Sequence, residues 1–418
     1  MKARYQYRFY PTDQQRQSLA QLFGCIRVVW NDALAFCRSA EKLPGYNKLS
    51  ALLTQSKKTE QRQWLKDVSS VPLQQSLRHL DVAYRNFFNS RNGKHKGKKS
   101  GLPKFKKKTN NQTAEFTKTA FSVSGEYVYL AKIGDIKPVW CRELPSAPSS
   151  VTAIKDCSNR YFLSFVVENE PKMLESTNQS VGIDLGLKTF AVLSTGEKFK
   201  SPDYSRCDRK IRKLQRKLAR QKEGSNRRYK TRLKIAKLHN QIADTRKDFL
   251  HKVSTKVVSE NQAIILEDLN VSGLVKNRKL SRAISMQGWR EFRLLCEAKS
   301  EKFGRTFSTV SRWEPTSQIC SDCGFRWGRL ELKVRTVTCL NCGKTHDRDE
   351  NAAKNIDQVG MGNRHDSKRT QRDCKTGLPA RPDEVSRITA HKRSVSISKT
   401  SNSSKSGLPI ITSNTQLY

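Results

Sequence analysis

Along residues 1–10 polar and aromatic positions alternate, with Tyr5, Tyr7 and Phe9 in phase, which predicts a strand. The spacing then switches. "TDQQ" at Thr12–Gln15 has the form of a capping box. Leu19, Leu22, Phe23, Ile26, Trp30, Leu34 and Cys37 follow at helical intervals. A second stripe, Leu73, Leu77, Leu80, Tyr84, Phe87 and Phe88, runs on from Pro72, a residue suited to a helix start. Residues 12–109 therefore read as a helical domain whose apolar stripes form its core. From 113 to 170, "FSVSGEYVYLAKIGD" and "VTAIKDCSNRYFLSFVVEN" alternate around Gly and Asn turns, the pattern of antiparallel strands. The first strand joins them. A β wedge of 1–11 and 110–175 then carries the helical domain as an insertion.

The second half has a different rhythm. "VGIDLGLKTFAVLSTGEKFKS", from Val181, reads as three strands joined by Gly turns. In Arg206–Lys247, Ile211, Leu214 and Leu218 are answered by Ile235, Leu238 and Ile242 across a Gly224-Ser225-Asn226 break. That is a helical hairpin with a thin apolar seam. "NQAIILEDL" (Asn261–Leu269) is short and almost wholly apolar, hence a buried strand. "QGWREFRLLCEAKSEKFG" predicts a helix and "RTFSTVSRW" another strand. A last helix opens at "DENAAKNI". Residues 361–418 are rich in Ser, Thr, Lys and Arg and poor in aliphatics, and are expected to be disordered.

Charge narrows the function. In 418 residues, 80 Lys+Arg face 38 Asp+Glu, a net +42, which calls for a polyanionic partner. No apolar run approaches the ~18 residues of a membrane span, and the N-terminus has no apolar signal core. Nucleic acid is the expected partner, and no membrane. The excess is concentrated. Arg91–Lys108 holds nine Lys/Arg and no acid, and reads as an exposed, mobile loop; Arg206–Lys247 holds 17 Lys/Arg against three acids.

Eleven cysteines, an odd number, argue for a reducing compartment rather than a disulfide framework. Seven are scattered, Cys25, Cys37, Cys141, Cys157, Cys207, Cys296 and Cys374, and are expected to be small buried or neutral residues. The other four form two C-x2-C-G knuckles, Cys320/Cys323 and Cys339/Cys342, with 15 residues between them. Four thiolates at this spacing predict one closed, structural zinc site, a ribbon over 320–342.

Three carboxylates stand at strand and helix ends. Asp184 lies between Gly182 and Gly186, where glycine lets a backbone or a phosphate approach. Glu267 closes "AIIL", and Asp268 points to the opposite face. Asp349 opens the last helix and shares a face with Ala353 and Ile356. Asp347 lies outside that helix or falls with Asn351 and Lys354 on its polar side. Each acid has a plainer reading, as a turn aspartate, a strand-end charge and an N-cap respectively. Together they suit two Mg2+ or Mn2+ ions clamping a phosphodiester.

"GIDLGLKTFAVLS", "LEDLNVSGL", "EPTSQICSDCG", "CLNCGKTHDRDENAAKNI" and the early "RFYPTDQQ" resemble the OrfB/TnpB proteins of bacterial insertion sequences, relatives of the type V CRISPR effectors. The resemblance covers about residues 1–357. It implies an α+β multidomain fold, with an RNase H-like (RuvC) α/β nuclease domain of 176–319 and 343–360 around the zinc ribbon. It implies Asp184, Glu267 and Asp349 as catalytic metal ligands, and Cys320, Cys323, Cys339 and Cys342 as zinc ligands. It also implies guide RNA and target DNA as partners, a separate transposase encoded by the same element, and a bacterial cytoplasmic setting at the nucleoid. The activity expected is RNA-guided DNA cleavage. The rival readings are a guide-independent transposase or recombinase and a zinc-ribbon regulator of transposition.

Overall fold

The computed structural model describes residues 2–94, 99–331 and 333–362. The expected disordered tail lies, from residue 363, outside the described residues, as does Cys374.

The chain begins with β1 (Lys2–Phe9), α1 (Asp13–Ser39), α2 (Tyr46–Ser56) and α3 (Ser70–Arg91). The capping box forms: the Thr12 hydroxyl accepts from the Gln15 backbone N–H at 3.2 Å, and the Gln15 amide oxygen accepts from the Thr12 N–H at 3.1 Å. Then come β2 (Gln112–Thr117), β3 (Phe121–Ser124), β4 (Tyr127–Leu130), β5 (Gly134–Ile136), β6 (Ser150–Lys155) and β7 (Tyr161–Glu168). One antiparallel sheet has the order β1-β7-β6-β2, so the first strand does join the later ones; β3-β4-β5 make a separate sheet. Tyr7, Phe9, Phe116 and Phe165 from the sheet share one continuous buried cluster with Leu19, Leu22, Leu73 and Leu77 from the helices. The inserted helices thus have no core of their own.

The basic loop departs from its expectation. Its second half is pinned along α1, where Trp30 Nε1 donates to the Lys104 carbonyl at 3.0 Å and Arg38 to the Pro103 carbonyl at 3.0 Å. The Lys106 ammonium sits 4.2 Å from the Trp30 ring centroid. Burial lowers its pKa to about 8. Cation–π contact and backbone hydrogen bonds outweigh the entropy that a free lysine loop would keep. Of the scattered cysteines, Cys25, Cys37 and Cys296 are buried, and Cys141 and Cys157 are exposed.

The second half contains β8 (Ser180–Leu185), β9 (Ala191–Leu193), β10 (Lys198–Phe199), α4 (Ser205–Ala219) and α5 (Asn226–Glu260). These are followed by β11 (Ala263–Glu267), α6 (Val271–Leu274), α7 (Ser281–Gln287), α8 (Trp289–Phe303) and β12 (Thr306–Val310). The chain ends its described part with β13 (Thr336–Thr338), β14 (Thr345–Asp347) and α9 (Arg348–Gly360). The sheet order is β10-β9-β8-β11-β12. β9 is antiparallel to β8 and to β10, while β8, β11 and β12 run parallel. The basic hairpin is α4 and α5, but α5 does not stop at 247. It runs on to Glu260, because Leu250, Val253, Val257 and Val258 turn apolar and enter the sheet's core.

Strand alternation sorts the sheet's two faces. Val181, Ile183, Ile264 and Leu266 pack with the apolar end of α5 and with Phe292 and Cys296 of α8. Ile265 faces the other way, against Ile356 of α9. Gly182 lies on that second face. A Cβ there would come within 2.1 Å of the Ala353 carbonyl oxygen and 2.4 Å of the Asp357 nitrogen. Helix and strand therefore touch backbone to backbone. Gly182→Ala is expected to push α9 off β8 and destabilise the protein by roughly 3 kcal/mol or more. Thermal unfolding of the variant beside the parent checks this; an unchanged melting temperature would refute the contact.

Candidate metal centres

The backbone contact at Gly182 fixes where the carboxylates fall. Two residues after Gly182, Asp184 shares its face of β8. Leu266 pairs with Ile183 in the parallel register, so Glu267, one residue on, ends beside Asp184 at the carboxyl edge of the parallel strands. Edges of this kind are where open α/β sheets place their ligands. Asp349 lies in the first turn of α9, the helix packed over that face.

Asp184 lies within electrostatic reach of the other two. Asp184 keeps a partly exposed edge. Its carboxyl is pushed up to about 7, first by burial, then by the negative charges of Asp349 and Glu267, with Arg348 offsetting part of this. Burial also raises Glu267, against the pull of Arg312. Asp349 is held by Arg335, whose Nη1 lies 3.1 Å from each carboxylate oxygen. Asp268 points elsewhere as expected and pairs with both Arg312 and Arg293, which hold it below the usual carboxylate range. Arg335, Arg348 and Arg312 were not legible as site residues. Among 80 basic residues nothing in the sequence singles them out.

The two aspartates of "HDRDENAAKNI" separate by function. Asp347 is the N-cap: its Oδ1 accepts from the Asp349 and Glu350 N–H groups at 3.0 and 3.1 Å. Its Oδ2 accepts from Lys198 at 2.8 Å. Asp347 thus sets the start of the helix that presents Asp349. Asn351 lies on the polar side of the helix, as expected, but that side is covered there. It is 1% exposed, accepts from the Ser321 N–H at 2.8 Å and donates to the Ile319 carbonyl at 2.7 Å. Asn355 donates to the Ile319 and Thr316 carbonyls, and Gln358 to that of Ser321. The second face of α9 is therefore a stripe of buried amides that satisfies the backbone leading into the cysteine knuckles.

Those knuckles share one geometry. The Gly324 N–H bonds to the Cys320 carbonyl at 3.0 Å and the Gly343 N–H to that of Cys339 at 2.9 Å. Both glycines have positive φ, 74° and 71°, which a side chain would strain. The four sulfurs all lie within 4.8 Å of one another. Cys320–Cys342 are 3.7 Å apart and Cys323–Cys339 3.5 Å. Tetrahedral Zn–S bonds of ~2.3 Å require S···S separations of about 3.8 Å, so the cluster can hold a zinc ion. His346 Nε2, missed in the sequence, lies 3.2 Å from Cys320 Sγ. Among the described residues the three carboxylates do not close to this spacing.

Comparison with known proteins agrees with the early motifs. A family model described as "Probable transposase" matches residues 164–278, and one described as "Cas12f1-like, TNB domain" matches residues 289–356. A "Putative RNA-guided DNA endonuclease" of Streptomyces pristinaespiralis is 42% identical over 93% of this chain and 98% of its own length.

The chain belongs to the OrfB/TnpB family of insertion-sequence proteins.

"Putative RNA-guided DNA endonuclease InsQ" of Escherichia coli K12 is 30% identical over 85% of this chain and 92% of its own. A solved complex, "Cryo-EM structure of the Cas12f1-sgRNA-target DNA complex", shares the fold with a TM-score of 0.50 over 85% of this chain and 98% of that one, at 13% identity. A helix-turn-helix model matches residues 1–42, yet here those residues form one strand and one long helix. Among the described residues no helix is long and apolar enough to cross a membrane.

Cys320→Ser is expected to lower the metal content from one zinc per chain to near none and to expose the ribbon to protease. Elemental analysis with limited proteolysis checks this; a full zinc complement in the variant would overturn the four-thiolate site.

Proposed function

We propose that this chain is a transposon-encoded, RNA-guided DNA endonuclease that cleaves phosphodiesters at a divalent-metal centre formed by Asp184, Glu267 and Asp349. The observation that carries the chemistry is the Asp184 carboxyl, pushed up to about 7 in a face shared with two other acids. In a chain of net +42, three converging carboxylates are costly unless a cation balances them. Their hard oxygen donors suit Mg2+ or Mn2+ rather than zinc. The sheet order, with its first three strands antiparallel and the last two parallel to the first, supports an RNase H-like reading. The names of the relatives support guide RNA and target DNA as partners. A zinc-ribbon regulator would not need three half-buried acids at the end of the sheet.

Divalent cations, when bound, neutralise the scissile phosphate and lower the pKa of an attacking water. The chain's part is to hold Asp184 and Glu267 on adjacent strands and Asp349 on a capped helix, so the donors are fixed before substrate arrives. Arg335 and Arg312 flank them and can carry phosphate charge. The lysine-rich α4–α5 hairpin and the strap along α1 supply sequence-independent backbone contacts, while base pairing with the guide reads sequence. The four-cysteine ribbon is structural and supports α9 through its amide stripe.

Two outcomes test this. RNA purified with the protein should be one discrete species ending in a variable guide, and the complex should cut matching DNA in Mg2+; RNA-free protein that cuts and joins transposon ends would instead establish the guide-independent transposase. Asp184→Asn should reduce cleavage by at least about 10²–10³-fold while retaining RNA.

The same variant carries a pH signature. An acid whose pKa is higher folded than unfolded favours the protonated fold. It costs stability increasingly as pH rises from about 4 toward about 7. Metal-free Asp184→Asn should therefore melt higher than the parent at pH 8, with the gap closing toward pH 4, and should gain less from added Mg2+. A parent and variant that melt alike at pH 8 would mean that Asp184 is not a strained carboxylate.

A further inference from the structure

His346 lies on β14, opposite Val337 of β13, and is 8% exposed. Its ring packs beside that of Trp327, with centroids 6.0 Å apart. Its Nε2 is 3.2 Å from the sulfur of Cys320, a residue with no exposed surface. The ring stands outside the group of four sulfurs that all lie within 4.8 Å of one another. The sulfur it meets is covered, whereas Cys342 is exposed and open to water.

Between an imidazole nitrogen and a thiol, either atom can supply the hydrogen. Zinc removes the choice. A thiol loses its proton when it ligates the metal, so Cys320 then has no hydrogen to give. A bare ring nitrogen at this distance would set its lone pair against the thiolate's. Four thiolates also carry more negative charge than one divalent ion cancels, and burying the surplus is costly unless donors meet it. Water can serve Cys342, but at Cys320 the protein must serve instead. The backbone N–H groups of Asp322 and Cys323 bond to the Cys320 sulfur, and the imidazole stands ready as a side-chain donor. We propose that His346 is a positioning residue of the zinc site: with zinc bound, its Nε2–H donates to the Cys320 thiolate, holds that ligand in place and slows release of the metal. The proposal rests on the four-thiolate reading and adds a fifth side chain to it. The next residue, Asp347, caps α9. A ring fixed at Cys320 therefore also holds the chain just ahead of the helix that presents Asp349.

The experiment uses the full chain, loaded with Zn2+ or with Co2+ in its place. His346→Phe keeps a flat ring and removes the donor. It should weaken zinc affinity about tenfold to hundredfold in competition with a chelator. His346→Gln, whose amide N–H can reach the same sulfur, should recover most of that loss. In the Co2+ protein, the thiolate-to-metal charge-transfer band should move to lower energy in His346→Phe, with four thiolates still bound. Loss of packing alone would not move that band. The parent protein supplies a test that needs no variant and so survives a variant that fails to fold. With isotope-labelled histidine and zinc bound, the nitrogen resonances should show the ring proton on Nε2. An Nε2 without its proton, or a His346→Phe protein that keeps zinc as tightly as the parent, would overturn the proposal. A parent Co2+ spectrum of three thiolates and one nitrogen would overturn it too, by making His346 a ligand. A parent that takes up no zinc would overturn the four-thiolate reading, and this proposal with it.

Discussion

In the second half of the molecule two backbones meet directly, at Gly182 of β8 and Ala353–Asp357 of α9. Most else there follows from it. A helix lying directly on a strand cannot slide or roll without a clash, so its first turn is fixed relative to the strand's end. That end carries Asp184, and the helix's first turn carries Asp349. The Asp347 cap and its bond to Lys198 fix the same turn from the other side. Three acids placed in this way repel one another. Burial first, and then the charges of Asp349 and Glu267, raise the Asp184 carboxyl, while Glu267 is raised chiefly by its own burial.

The ribbon and the carboxylates are separate chemistries joined by one helix. α9 presents Ala353, Ile356 and Gly360 to the sheet and Asn351, Asn355 and Gln358 to the loop that enters the knuckles. Soft thiolates and hard carboxylates select different ions, so the two sites need not compete. The amide stripe gives the four-cysteine cluster a mechanical role. It anchors the helix that holds Asp349, and it brings Arg335, just before β13, onto that same carboxylate.

Much of this was legible in the sequence because it is carried by local patterns. The capping box at Thr12, the alternation of β1, the two apolar stripes of α1 and α3, the knuckle spacing and the strand-end acids each depend on a few consecutive residues. What was misread depends on distant partners. That the polar side at Asn351 is covered was not legible, because only the knuckle loop satisfies its amide. The strap of 99–108 looked mobile, because Trp30 and Arg38 lie more than sixty positions away. α5 was ended early, because its charge run stops near 247 while the helix goes on as core.

The sequence by itself determined most of the elements, the four-cysteine cluster, the basic character and the three strand- and helix-end acids, since each is written in spacing or composition. Only the tertiary structure decided how the strand ends and the last helix are placed relative to one another, and which arginines attend the acids. Register and backbone approach belong to pairs of residues far apart in the chain, and no local window contains both members.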